Sequence, residues 1–520
     1  MKFPFTSRVF KHRRLRLNAS AIVAALDKPV LGLFYWTLAW LVAMMLNSVW
    51  IDCDVDFWSV GQQAPTTVIA DGMLLALGVI ISALLLRWIT NDRLSRNSMI
   101  LLLVVISIVT LFPSKWCLIL DRMGMALPPP ILNRLMPLAL APILAVILIG
   151  PGPAIIMGFW VSYAAAIFAG HDFPVFVIGL AMAVVISRLA RFVRTRSKVL
   201  RLGLVAGVTG AVFAMGFALA AHQSWSGIAQ QSLTSLISGL LSALVVLMIL
   251  PLLEVLFGVT TDISLLELSD MEHPLLKRLA IEAPGTYHHS LMVANLAQSA
   301  VAAIGGNSLR VTICAYFHDI GKLVKPEFFS ENIPLGSNPH DELLPSMSAL
   351  VITAHVKEGV NLALKHKLPR PVIEAIQKHH GTGLVSYFYH KASLLRDQQA
   401  DSQPGKRPGA VVQKDDFRYP GPKPYSREIA VLSLADAIEA ASRSLEKVTS
   451  GHVENLVRDM INSKLKDGQL DDCDLTLKEI GCISRSFVFT LTNMLHGRIK
   501  YPHDEHSRQQ PAKDQPSEPS

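Results

Sequence analysis

Eight apolar stretches crowd the chain before Gly258, and no other feature limits its fold as strongly. A hydrocarbon core of roughly 30 Å needs about 20 mostly apolar residues per helical crossing. The stretches lie near 30–50, 67–88, 98–119, 131–150, 152–170, 173–190, 202–221 and 233–257. The fourth to sixth are separated by Gly150-Pro151-Gly152-Pro153 and Gly170-His171-Asp172-Phe173-Pro174, which marks them as candidates for broken or re-entrant crossings. From about Asp262 the sequence turns polar, so the overall 51% hydrophobic and 17% charged content averages two unlike halves.

Charge fixes the expected sidedness. Lys11, Arg13, Arg14 and Arg16 precede the first stretch, and Arg188, Arg191, Arg194, Arg196, Lys198 and Arg201 cluster between the sixth and seventh. Both clusters read as cytoplasmic. The loop after the first stretch carries Asp52, Asp54 and Asp56 and no Lys or Arg, as a translocated loop does. Eight crossings return the chain to the cytoplasm. The net charge of +8 is therefore a topology signal and not a nucleic-acid signal. The first apolar run is too long for a signal peptide and lacks a small-residue cleavage site, so it reads as a retained anchor. Asp71, Lys115, Arg134 and Glu254 fall within or near spans; each is close enough to an end to snorkel, and no paired intramembrane charges of transporter type stand out.

The five cysteines are scattered and never at C-x-x-C spacing, which excludes a disulfide scaffold or a cysteine zinc finger and suits a reducing compartment for the soluble part. Of 17 histidines, 14 lie from His273 onward. Segments 290–304, 309–318, 346–364, 371–379 and 429–445 place apolar residues at helical spacing. The expected fold is all-α: a polytopic helical membrane domain over 30–257 behind a basic cytoplasmic N-terminus (1–29), a linker over 258–281, and an all-helical cytoplasmic module over 282–501. A long loop is expected at 399–424 and a disordered tail at 502–520.

Within the module, His288-His289 follow a turn-like Ala283-Pro284-Gly285, His318-Asp319 end a helical pattern, His355 lies on another helix, His379-His380 precede Gly381, and Asp436 lies on the last helix of the set. Adjacent His and Asp supply one neutral nitrogen ligand and one carboxylate able to bridge two cations. Imidazole and carboxylate without thiolate suit Fe, Mn, Zn or Ni more than Mg or Ca. His340, His366, His390, His452, His496, His503 and His506 read instead as surface residues or as caps of backbone carbonyls.

His318-Asp319-Ile320-Gly321 matches the H…HD…D signature of the HD phosphohydrolase superfamily in its HDIG form. The stretches 265–270, 282–290, 338–341, 379–389 and 416–424 further resemble the membrane-bound HDIG family of PgpH-type cyclic di-AMP phosphodiesterases, over roughly residues 130–500. That family places a large extracytoplasmic domain after its first span, whereas only Ile51 to Pro65 stand there in this sequence.

The resemblance implies a hydrolase of cyclic di-AMP, yielding pApA at the cytoplasmic face of a bacterial inner membrane, with two divalent transition-metal ions, Mn or Fe. One ion is assigned His289, His318, Asp319 and Asp436, the other His355, His379 and His380, with Asp319 bridging. Lys322 and Arg443 are assigned to phosphate contacts. The expected partners are the cyclic dinucleotide and the lipid bilayer, without nucleic acid and with self-association left open. Base identity rests on the resemblance alone: cyclic di-GMP enzymes of the HD-GYP group carry Gly-Tyr-Pro after the His-His pair, where Gly381-Thr382-Gly383 stands here. A membrane receptor that binds a nucleotide without cleaving it is the alternative from another class.

Overall fold

The computed structural model describes residues 29–496 apart from 49, 55–56, 62–64, 91–96, 123–133, 191–192, 334–337, 403–411 and 446–448. The basic segment at 11–16, Arg191 and the tail at 502–520 lie outside the described residues. The chain divides into two compact units, Met1–Glu267 and Leu268–Ser520.

The first unit is built of α1 (Pro29–Ser48), α2 (Pro65–Thr90), α3 (Asn97–Arg122), α4 (Leu140–Leu148), α5 (Pro151–Phe168), α6 (Phe173–Leu189), α7 (Arg196–Ala220), α8 (Trp225–Phe257) and the short α9 (Asp262–Glu267). Five of them, α2, α3, α5, α7 and α8, are long and apolar enough to cross a membrane. Between α1 and α2 the backbone forms a two-stranded antiparallel hairpin, β1 (Trp50–Asp54) with β2 (Phe57–Gly61), in the register Trp50 opposite Gly61. This is a local departure from the all-helical expectation.

The fourth apolar stretch does not form a full-length helix. α4 has nine residues, about 14 Å at 1.5 Å per residue, roughly half the hydrocarbon thickness. The crossing is broken rather than missing. α2 and α5 lie antiparallel: Asp71 near the start of α2 pairs with His171 just beyond α5 at 3.1 Å, while Ile89 at the end of α2 packs on Gly152 at the start of α5. α3 ends toward Asp71, since Lys115 Nζ donates to Asn47 O at 3.4 Å and Asn47 Nδ2 donates to Asp71 Oδ2 at 2.8 Å. Between Arg122 and Pro151 the chain therefore passes from one end of the bundle to the other. Irregular backbone at membrane depth is tolerated where protein surrounds it, and eight of the nine α4 residues are buried.

Two of the charges expected to snorkel are buried instead, Asp71 at 4% and Lys115 at 2% exposure. Burial is possible because each has polar company within the bundle: Asn47 and His171 for Asp71, the Asn47 carbonyl and the Phe168 ring for Lys115. Glu254 is also engaged, accepting from Thr261 N at 3.3 Å and Ser264 Oγ at 2.7 Å, which ties the end of α8 to α9. α7 and α8 pack backbone to backbone: a Cβ on Gly239 would lie 2.4 Å from Gly207 N, the small-residue contact that stands in for a hydrophobic driving force in lipid.

The second unit comprises α10 (Pro274–Glu282), α11 (Pro284–Ala303), α12 (Ser308–Phe317), α13 (Pro345–Lys365), α14 (Arg370–Lys378), α15 (Ser386–Ser402), α16 (Arg427–Ser442), α17 (Ser450–Lys466) and α18 (Leu477–His496), with short 3-10 turns. The buried faces of α11, α12, α16, α17 and α18 meet in one core around Val293, Leu296, Leu432, Val457 and Phe487. Three local expectations change. α11 starts at Pro284, whose missing N–H suits a helix first turn, so His288 and His289 lie within a helix and not beyond a turn. The expected loop at 399–424 is helical to Ser402 and contains a 3-10 turn at Lys414–Phe417. Two further helices, α17 and α18, follow the one carrying Asp436.

Candidate metal centre

α12 ends at Phe317 with His318 as its C-cap, and the chain turns at Asp319 into the 3-10 segment Ile320–Val324. That segment nests on α13 with no room for a side chain: a Cβ on Gly321 would stand 1.8 Å from His355 O and 2.5 Å from Gly359 N. The glycine of the His-Asp-Ile-Gly run thus brings His318 and Asp319 against His355. His379 caps the C-terminus of α14 with His380 beside it, and Asp436 comes from α16.

Asp319 is at the centre. Its Oδ2 lies 3.5 Å from His289 Nε2 and 3.3 Å from His318 Nε2; its Oδ1 lies 3.4 Å from His355 Nε2 and 3.7 Å from His379 Nε2. Asp436 straddles the same divide, with Oδ1 3.1 Å from His289 Nε2 and Oδ2 3.5 Å from His380 Nδ1. Candidate ligand atoms fall into two groups, each within 4.8 Å: His289, His318, Asp319 and Asp436; and Asp319, His355, His379 and His380. Only Asp319 belongs to both. All seven sequence-expected residues are therefore brought together. His288, about 100° round the helix from His289, is exposed and stays outside.

The rings are aimed by the backbone. Nδ1 of His318 is 2.7 Å from Ala315 O, that of His355 2.6 Å from Ile352 O, and that of His379 2.9 Å from Ile376 O. With Nδ1–H donated to a carbonyl, Nε2 is the nitrogen each ring turns inward. Those three Nε2 atoms and Asp319 Oδ1 are buried with no hydrogen-bond partner among the described residues. Buried polar atoms without partners are costly, and four of them gathered around Asp319 in the two groups are what divalent cations would satisfy, so the donor set fits metal.

Electrostatics divide the histidines. Burial works against a proton on His289 or His318, but Asp319 and Asp436, with Glu439 for His289, overcome it: His289 is raised well above the usual imidazole range and His318 to about 9. Burial dominates at His355, His379 and His380, lowering all three, His379 to about 3. These rings are neutral donors at physiological pH. Against burial, Asp319 and Asp436 are held well below the carboxylate range, Asp319 chiefly by the His318 charge and Asp436 chiefly by its hydrogen bond with His289.

The two cations assigned to phosphate are otherwise engaged. Lys322 Nζ lies 2.8 Å from Asp319 Oδ2 and donates to Glu331 Oε1 at 2.6 Å, and the two carboxylates keep it charged against burial. Arg443 makes three contacts of 3.0–3.1 Å with Glu439. Glu439 in turn meets His289 Nδ1 at 2.5 Å. Sequence reasoning missed Glu439, although its place three residues after Asp436 puts both on one helix face. It missed Glu331, which carries no sequence signal, and Tyr419, which lies in the resembling stretch 416–424 without having been given a role. His340, read as a surface or capping residue, is 5% exposed; its Nε2 does meet a carbonyl, Phe328 O at 2.8 Å. The centre opens into a cavity of about 1150 Å³ walled by Phe328, Phe329, Ile352, Leu384 and Tyr419, with Tyr419 stacked on His380 at 4.1 Å.

Residues 65–261 match the family model described as 7TM receptor with intracellular HD hydrolase, and residues 286–441 match the HD domain. Both halves of the chain are thus similar to known families, the apolar half to the first and the histidine-rich half to the second. Among its curated relatives is the cyclic-di-AMP phosphodiesterase PgpH of Bacillus subtilis, 40% identical over 59% of this chain and 42% of the relative. The PgpH of Listeria monocytogenes is 41% identical over 49% of this chain and 34% of its own length. The chain thus spans less than half the length of these two relatives. The crystal structure of the L. monocytogenes PgpH HD domain in complex with cyclic-di-AMP is 40% identical and aligns over 43% of this chain and 98% of that one, with a TM-score of 0.39. The chain pairs a helical unit similar to the 7TM family with an HD-type unit whose His and Asp cluster suits divalent metal.

Proposed function

We propose that the chain is a two-metal phosphodiesterase that hydrolyses cyclic di-AMP to pApA on the cytoplasmic face of a bacterial plasma membrane. The observation that carries this reading is the pair of ligand groups sharing Asp319 at the end of a cavity of about 1150 Å³. Seven His and Asp donors are too many for one four- to six-coordinate ion and suit two, with manganese or iron matching the nitrogen and oxygen donors. When bound, the cations supply Lewis-acid charge to the scissile phosphodiester.

The chain's own groups prepare that site. Asp319 presents one oxygen to each set of histidines, Lys322 keeps Asp319 ionised and is itself held in place by Glu331, and Glu439 fixes the tilt of His289. Tyr419, Phe328 and Phe329 wall the cavity with rings that offer stacking surface to a base and keep water from the flank of the centre. The base, adenine, follows the names of the PgpH relatives.

Sidedness rests on charge and parity. Arg188, Arg194, Arg196, Lys198 and Arg201 cluster around the α6–α7 connection, the cytoplasmic signature. Two crossings later, α7 and α8, the chain is back on that side for the HD domain. This parity does not depend on the broken fourth crossing.

The test is hydrolysis of cyclic di-AMP, cyclic di-GMP and linear dinucleotides by the full chain, purified in detergent with manganese and followed by chromatography. The expected result is pApA from cyclic di-AMP, lost on chelation. Faster turnover of cyclic di-GMP would overturn the base assignment, and cleavage of none of them would overturn the enzyme reading in favour of a receptor.

A further inference from the structure

Among the described residues, four cationic side chains other than Lys322 line the cavity, and they differ in what holds them: Lys414, Arg443, Lys464 and Lys466. Lys414 and Lys466 are exposed on the rim. Arg443 is bound to Glu439 by three contacts, and Lys322 is locked between Asp319 and Glu331. Lys464 is the exception. It stands near the end of α17, and its one hydrogen bond among the described residues is a long one, 3.4 Å to Ser433 Oγ. Ser433 lies one turn before Asp436 on α16. On the other side, Lys464 Nζ is 3.9 Å from where a Cβ on Gly383 would stand, in the turn that follows His380. The ammonium is therefore in the cavity wall between the elements that deliver Asp436 and His380.

We infer that Lys464 binds the second phosphodiester of a cyclic dinucleotide, the one not held at the Asp319 centre. The inference rests on the proposed substrate and adds to it a residue outside the His and Asp ligand set. A cyclic dinucleotide carries two phosphodiesters, each with one negative charge. Only one can sit on the metal centre at a time, and burying the other beside Asp436 and Asp467 without a cation would be strongly unfavourable. Among the described residues, Lys464 alone of the cavity's cations is partly buried, close to the centre and not committed to a carboxylate. Burial lowers its pKa against the pull of Asp436 and Asp467, the condition of a charge that gains from an added anion. Lys322 and Arg443 would have to give up existing ion pairs to do the same work.

The experiment compares two substrates in the full chain, in detergent with manganese: cyclic di-AMP, with two phosphodiesters, and bis(p-nitrophenyl) phosphate, with one. Lys464→Met keeps the aliphatic stem and removes the charge; Lys464→Arg keeps the charge. For Lys464→Met, kcat/KM for cyclic di-AMP should fall about ten- to hundred-fold, the range of a charge-assisted contact. The loss should lie mainly in KM and be at least ten-fold larger than the loss on the one-phosphate substrate, and Lys464→Arg should recover much of it. An equal loss on both substrates would assign Lys464 to the fold of the centre, and no loss on either would leave the second phosphate unbound by it; both results overturn the inference alone. A wild-type chain that cleaves the one-phosphate substrate and leaves cyclic di-AMP intact would overturn the substrate reading and this inference with it.

Discussion

Glu439 Oε2 lies 2.5 Å from Nδ1 of His289 and so directs the opposite nitrogen of that ring at Asp436 and Asp319. A carboxylate behind a metal-binding imidazole fixes its orientation and raises its basicity, and losing one weakens metal affinity about 10–100-fold. Glu439→Gln should therefore weaken the ion on the His289 side and spare the other. Elemental analysis after dialysis against graded chelator should show one of two ions lost early. Simultaneous loss of both, or of neither, would remove Glu439 from that role.

Asp319 is the one residue common to both ligand groups. Asp319→Ala should lower hydrolysis by several orders of magnitude, while His366→Ala, away from both groups, should change little. Because metal binding couples to folding, both variants need thermal melts with and without manganese. A folded Asp319→Ala protein cleaving at near wild-type rate would sink the bridging assignment.

Lys322 lies between Asp319 and Glu331, at 2.8 and 2.6 Å, and all three side chains are largely buried. Removing one partner of a buried ion pair destabilises by about 3–5 kcal/mol because the other charge is left uncompensated. Lys322→Met should lower the melting temperature of the HD domain, and adding Glu331→Gln should recover part of the loss. An additive double variant would deny the coupling.

The same pair predicts an acid limb. Burial raises the Glu331 carboxyl, but the Lys322 charge outweighs it and takes it from 4.5 to about 2. A depressed folded-state pKa stabilises fully above the unfolded value and less as pH falls from about 4.5 toward 2. Melting curves between pH 6 and pH 3 should fall less steeply for Glu331→Gln than for wild type; parallel curves would contradict the assignment.

Topology is checked by reporter fusions after His222 and after Gly258, at the two ends of α8. The first should report from outside and the second from the cytoplasm. A Gly258 fusion reporting from outside would place the HD domain away from any cytoplasmic nucleotide.

Sequence alone determined the division into an apolar helical half and a histidine-rich helical half, because hydrophobic run length and residue chemistry are local properties. It singled out the candidate ligand set for the same reason: His318-Asp319, His379-His380, His355, His289 and Asp436 are residue types that metal chemistry uses, in an order that matches a known pattern. The tertiary structure decided what those residues are bound to. Glu439 behind His289, Glu331 across Lys322, and Lys464 facing the cavity come from helices far apart in the chain, and no local pattern marks them. It also decided that Asp71 and Lys115 are buried and that the fourth crossing is broken. Hydropathy measures whether a segment can leave water; only packing supplies the partners that let a charge, or an irregular stretch of backbone, stay inside.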